Sequence, residues 1–181
     1  ILSRMRKGRK TVVGHWQDPK TLEHIAVWQR VAAAWADSQD MRILRFGDQM
    51  NNVAVTDGDK VEAEMRFGYH VDYVPFSTVM TYFEKVEDKA VDELVEVYFK
   101  EYDHAPELED KNTVEYKKVW NSAKAELTLR AVLEAYGAKA FTSNFDDLGD
   151  VNVEETGKGF DQIPGLASQR LMADGYGFGG E

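Results

Sequence analysis

A chain of 181 residues, 43% hydrophobic and 12% aromatic, is long enough to bury a sizeable core, and no apolar run in it approaches the roughly 20 residues of a membrane helix. Its net charge of −10 argues against a nucleic-acid or anionic-membrane partner, which would call for clustered Lys and Arg. The absence of cysteine excludes disulfides, zinc thiolates and thiol catalysis, fits a reducing cytoplasm, and so sets a cytoplasmic location as the expectation.

The basic start, Arg4, Arg6, Lys7, Arg9 and Lys10, has no aromatic stacking platform beside it and reads as a solvated face. A β-prone run at residues 11–13 closes at Gly14, and Asp18-Pro19 then offers an N-cap with proline at the first helical position. The helix expected there carries Leu22, Ile25, Trp28, Ala32 and Trp35 at steps of three and four, and ends near residues 37–40. A strand follows at residues 41–46, ending at Gly47. Asp48, Gln49, Met50, Asn51 and Asn52 make the loop after it. Asp57-Gly58-Asp59 reads as a turn, with Asp59 capping a short helix from Lys60; acids at these positions do not match the spacing of a calcium loop.

The next strand, residues 69–74, alternates Tyr69, Val71 and Tyr73 against His70 and Asp72 and stops at Pro75. Helical periodicity then covers residues 77–86 and 88–102, the second capped by Asp88, followed by a surface loop at 103–111. A long helix over residues 113–136, with Trp120, Ala123, Leu127 and Ala131 as its stripe, stops at Gly137. A strand at 139–142 leads to Ser143, Asn144, Phe145, Asp146 and Asp147, and a polar excursion runs from Gly149 to Asp161. Pro164 opens a last helix, and the chain finishes GYGFGGE, which follows a helix and so does not match a phosphate-cradling loop.

Alternation of strand and helix predicts an α/β fold: a mostly parallel sheet flanked by helices in Rossmann- or flavodoxin-like layers. In such a sheet the segments near Met50, near Phe145 and at Glu181 converge on the carboxyl edge, where ligands gather. From spacing alone Met50 and Phe145 read first as core packing, and Glu181 equally as a solvated carboxylate. The histidines His15, His24, His70 and His104 lack metal-ligand spacing. Residue chemistry alone reaches an α/β domain with a polar cleft at one sheet edge.

Three segments carry it further: RFGDQMNNVAVTDGDKVEAEMRFG from Arg45, FTSNFDDLGD from Phe141 and IPGLASQRLMADGYGFGGE from Ile163, with GHWQD at Gly14 in addition. Together they resemble the bacterial L-arabinose isomerase family. The resemblance implies that residues 1–40 close an amino-terminal α/β domain with a strand and a helix, and that residues 41–181 form most of a central α/β domain. It covers less than half of a full-length member, and the missing initiator Met fits a piece of a longer protein.

Interconversion of L-arabinose and L-ribulose is implied, with D-galactose to D-tagatose as a side reaction, aided by Mn²⁺. So is a homo-oligomer, trimer or hexamer. By the same resemblance Glu181 of the GYGFGGE motif is metal ligand and acid/base participant, one of four ligands, so this chain by itself is expected to be inactive. Met50 and Phe145 line the sugar pocket, which displaces the packing reading for both. Residues 150–161 are longer than the family's usual connection, which bears on pocket shape. A non-catalytic sugar-binding or assembly module of the same fold is the rival reading, and a fucose isomerase relative a third.

Overall fold

Asp18 begins the first helix as its position before Pro19 implies. In the computed structural model, which describes residues 2–50, 52–144 and 160–180, its carboxylate accepts the amides of Lys20 and Thr21 and the Thr21 hydroxyl, the last at 2.9 Å. Helix α1 (Pro19–Ser38) follows. Residues 11–13 form no strand, contrary to the β propensity of that run; a strand exists only through pairing, and Val13 lies 90% exposed without a neighbour strand. The α1 stripe is also open, with Leu22, Trp28 and Trp35 all exposed. Its carboxyl end is tied down: Ser38 Oγ and Gln39 Nε2 both donate to the Phe67 carbonyl, and Lys139 pairs with Asp37.

The sheet has strand order β2-β1-β3-β4, from β1 (Arg42–Phe46), β2 (His70–Val74), β3 (Ala140–Ser143) and β4 (Gly177–Gly180), and every pairing is parallel. The expected α/β fold with a parallel sheet is therefore the observed one. Leu44 pairs with Asp72 and Phe141, and Phe46 with Val74 and Ser143, so these residues share one face. On that face Leu44, Phe46, Val74 and Phe141 are buried. The alternation of Tyr69, Val71 and Tyr73 does not mark the buried side of β2: Tyr73 is half exposed and Val74 is in the core. Register to β1 decides which face is inward, and that is a tertiary fact.

Helix α2 (Lys60–Phe67) lies on the other face, capped by the Asp59 carboxylate on the Glu62 amide at 2.9 Å and ended by Gly68 in the left-handed region at φ 81°. After β2 come α3 (Phe76–Phe83) and α4 (Asp88–Glu101). Glu87, not Asp88, stands at the N-cap of α4 and makes no side-chain cap; the Asp88 carboxylate is instead 3.5 Å from Lys124 on the next helix. The loop 103–111 contains a 3-10 turn, Pro106–Glu109.

Helix α5 (Val114–Tyr136), capped by Thr113 and closed by Gly137, is buried on two sides, so no single stripe describes it. Ala125, Leu129, Val132 and Leu133 join the sheet core with Val79, Phe160, Ala167 and Leu171. Tyr116 and Ala123, flanked by half-buried Trp120 and Leu127, pack on Val91, Val95 and Tyr98 of α4 in a second cluster. Of the expected stripe, only Ala123 is fully buried.

The last helix, α6 (Gly165–Ala173), lies against α5. Glu126 of α5, 2% exposed, sits between them. It accepts Tyr98 Oη at 2.6 Å, Arg170 Nε at 2.9 Å and Arg130 Nη2 at 3.0 Å. Burial, with the bond to the carboxylate, pushes the Tyr98 hydroxyl pKa well up. A buried carboxylate needs such partners, and here they join α4, α5 and α6.

Candidate functional site at the carboxyl edge of the sheet

The four strands end level with one another. Phe46, Val74, Ser143 and Gly180 are each the last residue of their strand and stand in one register row. At about 4.8 Å per strand, β1 and β4 lie roughly 10 Å apart. After β1 the chain leaves this row in a loop, and such exits are where a parallel sheet presents its ligand groups.

After β1, Gly47 turns at φ 76° while its amide donates to the Val74 carbonyl at 3.0 Å, joining the exits of β1 and β2. Arg45, aimed at the α2 side of the sheet, donates to Asp48 Oδ1 at 3.0 Å and lies over the Tyr73 ring, 5.7 Å from its centroid. Met50 is half-buried, and its carbonyl accepts the Val53 amide at 3.3 Å as the chain enters a 3-10 turn at Ala54–Thr56. After β3, Asn144 is 4% exposed and its Nδ2 donates to the Asp48 carbonyl. The exits of β1 and β3 are thus bonded to each other.

A cavity of about 200 Å³ opens between this loop, α2 and the sheet, lined by Arg45, Thr56, Asp59, Ala63, Val71 and Thr142. A larger hollow, about 480 Å³, lies at the amino end of α5 beside Lys111, Tyr116 and Trp120. Met50 is not among the residues that line it. Among the described residues no three of His, Asp and Glu stand close enough together to hold a metal ion. His70 instead pairs with Glu64 at 3.3 Å, and His104 with Glu109 at 2.8 Å.

Compared with known families, residues 42–181 match the model of the L-arabinose isomerase central domain, and residues 1–40 that of the L-arabinose isomerase N-terminal domain. The chain belongs to the L-arabinose isomerase family. It is 66% identical over all 181 residues to the L-arabinose isomerase of Phocaeicola vulgatus, 45% to that of Flavobacterium johnsoniae and 42% to that of Geobacillus stearothermophilus. It spans about a third of these curated relatives: 35% of the first and 34% of the other two.

Of the three residues to which the family resemblance points, Met50 stands at the carboxyl edge after β1. Phe145 and Glu181 lie outside the described residues, as do residues 150–159 of the long connection. In sequence, Phe145 comes two residues after the end of β3, and Glu181 directly follows the last residue of β4. Arg45, Thr142 and Asn144 lie within the quoted motifs but were not among the candidate site residues. Arg45 gave one signal: a charge inside an apolar strand run must face away from the core. Asn144 gave none, because its partner lies 96 residues away.

Proposed function

We propose that this chain is the segment of an L-arabinose isomerase that supplies part of the sugar pocket and one acid/base carboxylate, for interconversion of L-arabinose and L-ribulose with D-galactose to D-tagatose as a side reaction. The observation that supports this most is the level row of strand ends. Met50 follows it after β1, Phe145 after β3 and Glu181 after β4, in a chain that matches the family along its whole length.

Moving a proton between C1 and C2 of an open-chain aldose passes through a cis-enediol, and a carboxylate is the group suited to take and return that proton. Glu181 is assigned that part, with Met50 and Phe145 shaping the pocket around the carbon chain. Family resemblance adds Mn²⁺ in the full-length enzyme, with Glu181 among its ligands. Among the described residues no three of His, Asp and Glu assemble a site for the ion, and the proton transfer falls to the carboxylate. Neither a nucleic acid nor a membrane is assigned as a partner. The described residues include no helix long and apolar enough to cross a membrane. A cytoplasmic homo-oligomer, trimer or hexamer, is assigned to the full-length protein.

The test is ketose formation from L-arabinose in the presence of Mn²⁺, comparing this chain with the full-length protein and its Glu181→Gln variant. The full-length protein is expected to turn over, this chain to be inactive, and the variant to lose about 10²- to 10⁴-fold in kcat, since an amide cannot act as a base. Wild-type turnover in Glu181→Gln would remove the assignment. A folded full-length protein that isomerises no aldose would favour a non-catalytic sugar-binding or assembly module.

A further inference from the structure

Strand β4 is the least anchored element of the sheet. Three of its four residues are glycine, it is a sheet edge among the described residues, and its one side chain, Phe178, rests on Phe141 at 4.8 Å between ring centroids. Gly177 sits so close to β3 that a Cβ there would meet the Ala140 side chain at 2.9 Å. The ladder to β3 holds β4 through its backbone, and with so little side-chain packing the turn that closes α6 is the other hold on the strand, at its entrance.

Backbone hydrogen bonds close that turn, and the Arg130 side chain spans it. The Gly175 amide donates to Met172 and that of Tyr176 to Leu171, both at 3.0 Å, with Gly175 at φ 98°. Arg130 Nη2 reaches Asp174 Oδ2 at 2.5 Å on one side of Gly175, and its guanidinium lies 6.0 Å from the Tyr176 ring centroid on the other. The same nitrogen donates to buried Glu126 at 3.0 Å, which ties the guanidinium to the centre of α5. Burial works against the charge of Arg130, but the bonds to Asp174 and Glu126 outweigh it and its pKa lies above the ordinary value.

We propose that Arg130 is a positioning residue: by clasping Asp174 and Tyr176 around Gly175 it steadies the course of β4 up to Gly180, the residue before Glu181 in the sequence. The consequence for turnover rests on Glu181 acting as proposed above. A carboxylate displaced by about 1 Å from its reacting carbon can lose up to about 10²-fold in rate while substrate binding is kept.

The experiment uses the full-length protein with Arg130→Ala, Arg130→Lys, Asp174→Ala and, as a stability-matched control far from the turn, Val95→Ala. Read together are kcat, KM and amide exchange at Gly177–Gly180. Arg130→Ala and Asp174→Ala should lower kcat about tenfold with KM within about twofold, and speed exchange along β4. Arg130→Lys should fall between, because it keeps a charge for the carboxylates but loses the planar guanidinium that lies over the Tyr176 ring. Val95→Ala, with a comparable fall in melting temperature, should leave kcat and β4 exchange as they were.

Wild-type kcat in Asp174→Ala, or an equal loss in Val95→Ala, would overturn the proposal. Should Arg130→Ala fail to fold, Asp174→Ala decides, since that carboxylate is half exposed. If Glu181→Gln keeps its turnover, the role of Glu181 falls and exchange along β4 alone judges the clasp: unchanged exchange overturns it, faster exchange upholds it.

Discussion

Glu126 shows how much one side chain can carry without being visible in sequence. It is one of 32 acidic residues, on a helix whose neighbours gave no reason to bury it. Its place among Tyr98, Arg130 and Arg170 makes it the shared acceptor of three elements. Glu126→Gln would leave two guanidiniums facing a neutral amide. Removing one partner of a buried charge cluster costs about 3–5 kcal/mol. Arg170 keeps Glu101 and Arg130 keeps Asp174, so about 3 kcal/mol is expected, read as a lower urea midpoint at unchanged slope. Met50, by contrast, was legible as a site residue only through its motif. Spacing alone left it between packing and binding, because a methionine after a strand serves both.

At the scale of elements, capping chemistry was the most readable feature. Asp18 and Asp59 begin helices and Gly137 ends one where their residue types imply, whereas Glu87 takes the position expected of Asp88. The loop between α4 and α5 adds a pH-sensitive fastening. His104 Nδ1 faces the Tyr102 carbonyl at 2.9 Å and Nε2 faces Glu109 at 2.8 Å. Both partners are acceptors, so only the protonated ring can donate to both. The bond to the Tyr102 carbonyl and then that to Glu109 raise its pKa above 6.5. The raised value makes the contribution to stability complete below the unfolded pKa and lost as pH rises through the folded one. Thermal melts of the wild type and His104→Gln should therefore differ most at pH below about 6.5 and converge at alkaline pH. A gap that widens with pH would contradict this.

Across the whole molecule, the described surface is uneven. The sheet and α3 to α6 enclose the core, whereas α1 leaves Leu22, Val31, Trp28 and Trp35 half exposed along its length. Contiguous apolar surface of this kind drives association or dye binding in water. Prepared by itself, the 181-residue chain should bind a hydrophobic dye such as ANS, and Leu22→Gln with Trp28→Gln should remove most of that signal while circular dichroism of the sheet core persists. Undiminished dye binding would place the responsible surface elsewhere.

The sequence by itself determined the alternation of strands and helices from α1 onward, the glycine stop at Gly137, and the caps at Asp18 and Asp59, because each depends on groups within about four residues of one another. Its motifs also determined the family. Tertiary structure alone decided which face of β2 is buried, that residues 11–13 pair with no strand, that α5 is covered on two sides, that Asp88 turns to Lys124, and that Asn144 ties the exits of β1 and β3. It also brought Arg130 to the turn before β4. Each of these depends on a partner far away in the chain, and local preference carries no information about which distant surface will arrive to meet it.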